Sequence, residues 1–498
     1  MTQHTLFFAL LALFTPSLVS AAEPAHKFGI DEAARYSVGN SLRTGETDLW
    51  WTSLGDDTLN ALVDEALGSN HDIGAAQARF HAAAGVTLQS VSPLLPSASF
   101  DVGLNASPSS NASFQVSPQL TQLLEDLSDL AASIPGATPP EDDDGSEDDP
   151  ALTWNGSALF KFGLSIDLGR SATALRAAQL DAAAVKDDRN GVAQAVVQQV
   201  VLTWLDLLAA RVRVEIVERQ VETNQALLEL TQLRFSSAEA RGLDVLQQQQ
   251  QLAATQSMLP PATQLLRLRE IQLATLLGRN PSDPNLPVGI GLPELPERPG
   301  LGAPSELMET RPDLAAASNR YLSARNRVSS SALAFAPTFR LTANVGYQLR
   351  WFNEWDSAET WGLGAAVSVP LFDGLRLQGN LKQAIASRNA AERSLAAATL
   401  TAQAEVETAL VREDTGSSKL DTLAAQLKSS RDAYRESAQQ YGSGLVNYLT
   451  VLTSLASWQA AELNHLQAQR DLLGARVDLH DALGAPWAGS LKSPGGAR

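Results

Sequence analysis

The residues that most often carry chemistry are few and scattered in this chain. Six histidines stand at His4, His26, His71, His81, His465 and His480. No two share the spacing that puts a pair of metal ligands on one helix face, and none accompanies a nucleophile motif. Cysteine is absent, which excludes a disulfide framework, a thiolate metal site, a cysteine nucleophile and a lipidated cysteine. No Gly-rich phosphate loop occurs, so ATP has no cradle. The densest charge is the run Glu141-Asp142-Asp143-Asp144-Gly145-Ser146-Glu147-Asp148-Asp149. Carboxylates suit hard divalent cations, but without alternating ligands and spacers the run also reads as a self-repelling, solvated loop. The residues thus predict no enzyme, no cofactor and no resident metal.

The elements that could position a function are more telling. The chain has 498 residues, 44% of them hydrophobic but only 6% aromatic. That mixture favours long helices packed through small side chains. A net charge of −18 argues against nucleic acid as a partner and suits a soluble surface or a lumen that favours cations. Leu6 to Phe14 is an apolar core followed by small residues near Ser20-Ala21-Ala22, so residues 1–21 read as a secretory signal. No later run of about 18 apolar residues predicts a transmembrane helix.

The chain is one design used twice. Asn70-His71-Asp72-Ile73 matches Arg311-Pro312-Asp313-Leu314 at an offset of 241, and Leu95-Pro96 matches Ala336-Pro337 at the same offset. Beyond Asp167 and Arg170, which match Asp373 and Arg376, the offset becomes 206 and holds without a gap to Leu277-Gly278 and Leu483-Gly484. The difference, 241 less 206 or 35 residues, is extra sequence in the first half. A first repeat over 22–280 and a second over 305–487 therefore flank a proline-rich connector at 281–304, with a flexible tail at 488–498. Within each repeat the order is helix, extended hairpin, very long helix, short turn, long helix.

Single helices are predicted from Asp57 to Ser90 and from Ser305 to Leu333, the latter with Ser305 as N-cap. Strands with one apolar and one polar face are predicted near 98–107, 153–168, 338–348 and 360–371, the first two separated by an acidic loop at about 108–152. Within that loop Leu120, Leu123, Leu124, Leu127 and Leu130 recur at helical spacing. Strands of about ten such residues fit a membrane barrel with lipid outside and water inside. Four strands cannot close a barrel, and open edges are not tolerated in a bilayer, so subunits would have to share one. The strand count leaves their number open.

From Gly169 to Phe235 there is no proline, enough for a helix of about 100 Å. Its partner runs from Leu243 to Leu277-Gly278, with a break or kink predicted at Pro260-Pro261. Leu420, Leu423, Leu427 and Tyr434 show coiled-coil spacing.

Read in order, four motifs resemble the outer-membrane factor family, the TolC and OprM group, and more closely its OprM/NodT-like branch. They are Trp50-Trp51-Thr52-Ser53-Leu54-Gly55-Asp56, Glu309-Thr310-Arg311-Pro312-Asp313-Leu314, the segment Tyr441 to Leu452, and Leu483-Gly484-Ala485-Pro486-Trp487. The resemblance implies a mainly α, TolC-like duct with membrane β. Two structural repeats each contribute two strands and long helices. A homotrimer then forms a twelve-stranded outer-membrane β-barrel continuing into a periplasmic α-helical barrel. It also implies a passive efflux channel in the outer membrane of a Gram-negative bacterium, with outer-membrane lipid, a periplasmic adaptor (membrane fusion protein) and an inner-membrane pump of RND type as partners. By the same resemblance the adaptor meets the tips at Ser236, Ser237, Ala238 and Gly242 and at Gly442, Gly444, Leu445 and Val446. The periplasmic aperture falls at Asp244, Thr450 and Thr453. Asp244 also reads as a first-turn carboxylate complementing the helix dipole, and Leu445 as a leucine packed in an ordinary turn. The family's lipidated cysteine is missing, so the barrel alone would anchor the protein. Type I protein secretion and a secreted coiled-coil scaffold are the alternative functions.

Overall fold

The computed structural model describes residues 36–37, 49–108, 152–282, 285–287, 289, 291–351 and 355–490. The secretory segment, the acidic run, the leucine-spaced stretch at 120–130 and residues 491–498 lie outside these. Two compact units are formed. One comprises residues up to 83, 180–322 and from 389 onward; the other comprises 84–179 and 323–388.

Helices α1 (Asp57–Ser69) and α2 (His71–Val91) replace the single helix expected here. The chain breaks at Asn70, whose backbone is extended. The Asn70 amide oxygen accepts from the backbone N–H groups of Asp72 (2.8 Å) and Ile73 (3.3 Å), and its Nδ2 donates to the Leu276 carbonyl at 2.9 Å. One side chain therefore caps a new helix and holds it to a distant one. The second repeat breaks at the equivalent residue, Arg311, between α6 (Leu307–Thr310) and α7 (Pro312–Leu333). Proline at the first position of α7 forces the preceding residue out of the helical region. Ser305 is not an N-cap. It lies inside a 3-10 turn, Pro304–Glu306, preceded by Ala303.

In the second unit, β1 (Ser97–Pro108), β2 (Leu152–Ile166), β3 (Thr338–Trp351) and β4 (Trp355–Ser368) form one antiparallel sheet in sequence order. Strand β4 begins and ends earlier than its sequence pattern indicates. It starts at Trp355, paired with Trp351 across the hairpin, and ends at Ser368, because ladder pairing and not side-chain alternation defines its limits. Register puts Phe100 opposite Phe160, Phe160 opposite Val345 and Val345 opposite Trp361. One face is thus apolar across all four strands, as a period of two requires. Among the described residues, the outer edges of β1 and β4 have no partner strand.

Each hairpin leads into a helix of 67 residues: α3 (Arg170–Ser236) and α8 (Arg376–Gly442). At 1.5 Å per residue either is about 100 Å long. Two consecutive left-handed residues make both junctions, Leu168 and Gly169 in one, Gly374 and Leu375 in the other. The glycine occupies the first position in one repeat and the second in the other, so neither repeat avoids a strained leucine.

The return from α3 is interrupted, with α4 (Gly242–Gln256) and α5 (Leu259–Leu276) separated at Ser257-Met258 just ahead of Pro260-Pro261. Its counterpart α9 (Tyr448–Leu483) is continuous. Gly278 closes α5 in the left-handed conformation, with the Arg279 N–H on the Ala274 carbonyl at 2.8 Å.

The core of the first unit unites the two ends of the chain. Trp51 packs edge-on against Trp487 at 5.1 Å, Trp50 stacks on His480 at 5.1 Å, and the Trp204 indole N–H donates to Asp56 at 2.7 Å. Ala488 is fully buried in this cluster, within a 3-10 turn Pro486–Ser490. Ordered structure thus runs beyond Trp487. Buried Glu413 receives Arg476 at 2.6 Å and Arg298 at 3.0 Å, tying the connector to α8 and α9. Such a pair is costly to break, because the remaining charge would be buried alone.

Candidate functional site

The two helical turns of the first unit share one geometry. Ser237 donates to the Leu233 carbonyl and Glu239 to that of Arg234, while Ser443 donates to Gln439 and Leu445 to Gln440, at 2.8–3.2 Å. Both turns therefore end their helix with a residue of positive φ, Ala238 at 61° and Gly444 at 74°. Ser236 and Gly442 close α3 and α8, and Gly242 opens α4.

The structure brings these tips together through a residue the sequence reading passed over. Arg234 donates from Nη1 to the carbonyls of Tyr441 (3.0 Å) and Gly442 (3.2 Å). Its guanidinium also stands 4.6 Å from the Tyr441 ring centroid, close enough for a cation–π contact. Behind it, Tyr441, Tyr448, Val451, Leu455 and Leu227 form a small buried cluster. Val446 packs partly buried against that cluster, whereas Leu445 is exposed. Val446 precedes the α9 turn that carries Tyr448, and the apolar cluster beneath gives it partial burial.

Asp244 serves its own helix. Its carboxylate accepts the Arg241 N–H at 3.1 Å in the first turn of α4, where negative charge complements the dipole. Thr450 and Thr453 are exposed, and their hydroxyls donate within the first turns of α9, to Asn447 Oδ1 (3.0 Å) and the Leu449 carbonyl (3.0 Å).

Deeper between the helices runs a ladder of buried polar side chains. Tyr448 donates to Gln248, Gln248 donates to the Asn224 carbonyl at 2.7 Å, and Asn224 donates to Thr255 at 3.2 Å. Gln220 donates to the Gln459 carbonyl at 3.2 Å. Burial pushes the Tyr448 hydroxyl well above its ordinary range, so it stays a proton donor at neutral pH. These groups join α3, α4 and α9 by hydrogen bonds instead of close apolar packing, and their polarity gave no sequence signal because glutamine is frequent on exposed helix faces. The first tip also exposes Leu230, Leu233, Phe235, Leu243 and Leu246. The 206-residue offset distinguishes two of them, since Leu230 and Leu233 align with Glu436 and Gln439.

In the second unit the sheet carries the other functional surface. Its apolar face is open: Trp361 is 76% exposed, Leu363 80% and Val367 62%. So large an exposed apolar surface marks an interaction site or a lipid-facing one. The opposite face holds Asp101 and Lys161, paired at 3.3 Å, and small residues such as Gly103, Gly163, Gly346 and Gly364. No group of three or more metal-binding side chains occurs among the described residues, and no described helix is long and apolar enough to cross a membrane. The second observation says nothing about a β-barrel.

Among known proteins, the pattern of the family described as outer membrane efflux protein matches residues 62–279 and 303–485. The chain is 27% identical over 462 residues to "Pyoverdine export outer membrane protein OpmQ" of Pseudomonas aeruginosa, covering 91% of this chain and 90% of that one. It is 27% identical over 499 residues to "Outer membrane protein OprJ" of the same organism, covering 96% and 95%. The solved structure of the outer-membrane channel OprN superposes with a TM-score of 0.78 at 23% identity, covering 92% of this chain and 96% of that one. At that identity the likeness concerns the fold.

Proposed function

The chain belongs to the outer membrane efflux protein family, and from that premise we propose that it is one protomer of a homotrimeric, passive exit duct. Three four-stranded sheets close a twelve-stranded barrel in the outer membrane. The observation that carries this reading is the sheet itself, four strands with two open edges and one exposed apolar face. A bilayer offers no partner for the edge N–H and C=O groups, so only pairing with further copies satisfies them. The apolar face then meets lipid and the polar face lines the water-filled lumen.

The helix tips dock a periplasmic adaptor through Ser236, Ser237, Ala238 and Gly242 and through Gly442, Gly444, Leu445 and Val446. The adaptor couples the duct to a proton-driven inner-membrane pump of RND type. Asp244, Thr450 and Thr453, repeated by the symmetry, surround the periplasmic aperture. The protein works without catalysis, and the pump supplies the energy. A relative named for pyoverdine export supports a low-molecular-weight cargo over a secreted protein.

Native mass spectrometry of protein extracted from outer membranes in mild detergent tests the shared barrel. A trimer is expected. A monomer that persists in every gentle detergent, or a soluble periplasmic species, overturns the duct.

A further inference from the structure

We propose that Arg340 forms an anion-attracting belt in the barrel lumen, opposite in sign to the charge of the chain as a whole. The inference rests on the duct reading, which makes the polar face of the sheet the lumen wall.

Among the described charged side chains on that face, Arg340 is the one left over. Lys161 is neutralised by Asp101 at 3.3 Å. Arg350 lies opposite Asp356 in the β3–β4 register and donates to Asn155 at 3.3 Å. Arg340 is exposed and makes no ion pair or hydrogen bond with any described residue. Its cross-strand partners are Ser165 on β2 and Ala366 on β4, and the next residues of the same face are Gly163 and Gly364. All four are too small to cover a guanidinium, so the charge projects from the wall. Two carboxylates lie near the sheet end, and both are turned to helix capping. Asp167 accepts from the Ser171 N–H at 3.0 Å and from its hydroxyl, and Asp373 accepts from the Leu377 N–H at 2.9 Å while facing Arg376 at 3.6 Å.

Three copies of an unpaired arginine at one level of the lumen wall raise a positive potential there. Chloride and the carboxylate or phosphate groups of solutes in transit are concentrated at that level. The belt sets a local preference within a channel whose sequence carries a net charge of −18.

The absence of native cysteine allows a local test. Full-length Ser165→Cys protein in outer-membrane vesicles is reacted with anionic sulfonatoethyl and cationic trimethylammonioethyl methanethiosulfonate, with and without Arg340→Gln. The anionic-to-cationic rate ratio should fall roughly threefold to tenfold when Arg340 is neutralised, less so as salt is raised, and should be retained in Arg340→Lys. Because the reporter lies in the barrel, the state of the periplasmic aperture does not mask it. An unchanged ratio in Arg340→Gln, with oligomer and thermal stability intact, overturns the belt. A cysteine that reacts with neither reagent shows that this face does not meet water and overturns the lumen assignment, and the belt with it.

Discussion

Ala238 and Gly444 occupy equivalent places in the two tips and share a left-handed backbone, φ 61° and 74°. Only glycine adopts that conformation without a Cβ clash, and an alanine there costs about 1 kcal/mol. Ala238→Gly should therefore slow local opening of the first tip about fivefold, and Gly444→Ala should hasten it at the second, both read by amide hydrogen exchange. The titration of Asp481 makes a separate residue-level prediction. Burial outweighs the hydrogen bond from Gln194 (2.9 Å) and raises the carboxyl above its ordinary 3.8. The folded state then holds the proton more tightly than the unfolded one. The resulting destabilisation is absent below the ordinary value, accumulates as pH rises through the raised one, and stays constant above it. Asp481→Asn mimics the protonated form and keeps an acceptor for Gln194. Thermal unfolding from about pH 4 to about 7 should show the wild type falling behind the variant as pH rises; parallel curves would refute the assignment.

At the scale of elements, close backbone approach matters more than helix propensity. A Cβ on Gly346 would stand 2.0 Å from the Ala158 carbonyl oxygen, a backbone atom of the neighbouring strand. Gly346→Ala should destabilise β2–β3 pairing by about 1–3 kcal/mol and reduce the heat-modifiable oligomer on gels. The equivalent helices show a different economy of design. Asn70 and Arg311 break their helices at matching positions by different means: a side chain that caps in one, a proline that follows in the other. Pro260-Pro261 separates α4 from α5, whereas α9 runs uninterrupted past the corresponding Leu466-Gln467. The two repeats are thus alike in order and differ in the continuity of the return helix.

For the whole molecule, the duct reading turns the two faces of the sheet into opposite environments. Leu363 and Thr342 lie on these different faces at adjoining register positions. Leu363→Arg should cost about 2–4 kcal/mol near the bilayer midplane and lower the amount of protein recovered in the outer membrane. Thr342→Arg adds the same charge to the water-facing side and should leave recovery intact while changing conductance. Equal losses in both variants would refute the assignment of faces. Outer-membrane efflux follows from family membership; the trimer, adaptor and pump belong to the proposal, in which the open-edged sheet and the helical tips are their points of contact.

Periodicity made much of this protein legible from its residues alone. The duplicated order follows from the 241- and 206-residue offsets, the two-faced strands from a period of two, and the long helices and the interruption at Pro260-Pro261 from where proline falls. These are local properties, and a linear pattern records them. Tertiary structure decided what depends on neighbours distant in the chain. The break at Asn70 uses the carbonyl of Leu276, and the first tryptophan pair meets Trp487 near the other end. Val446 turns inward because Tyr441 and Tyr448 offer it a core. Arg234, the residue that bridges the two tips, looked like any solvated helix cation until α3 and α8 lay side by side. The physical reason is the range of the forces: propensity and amphipathicity act within a few residues, while desolvation and hydrogen-bond satisfaction act only between segments already brought into contact.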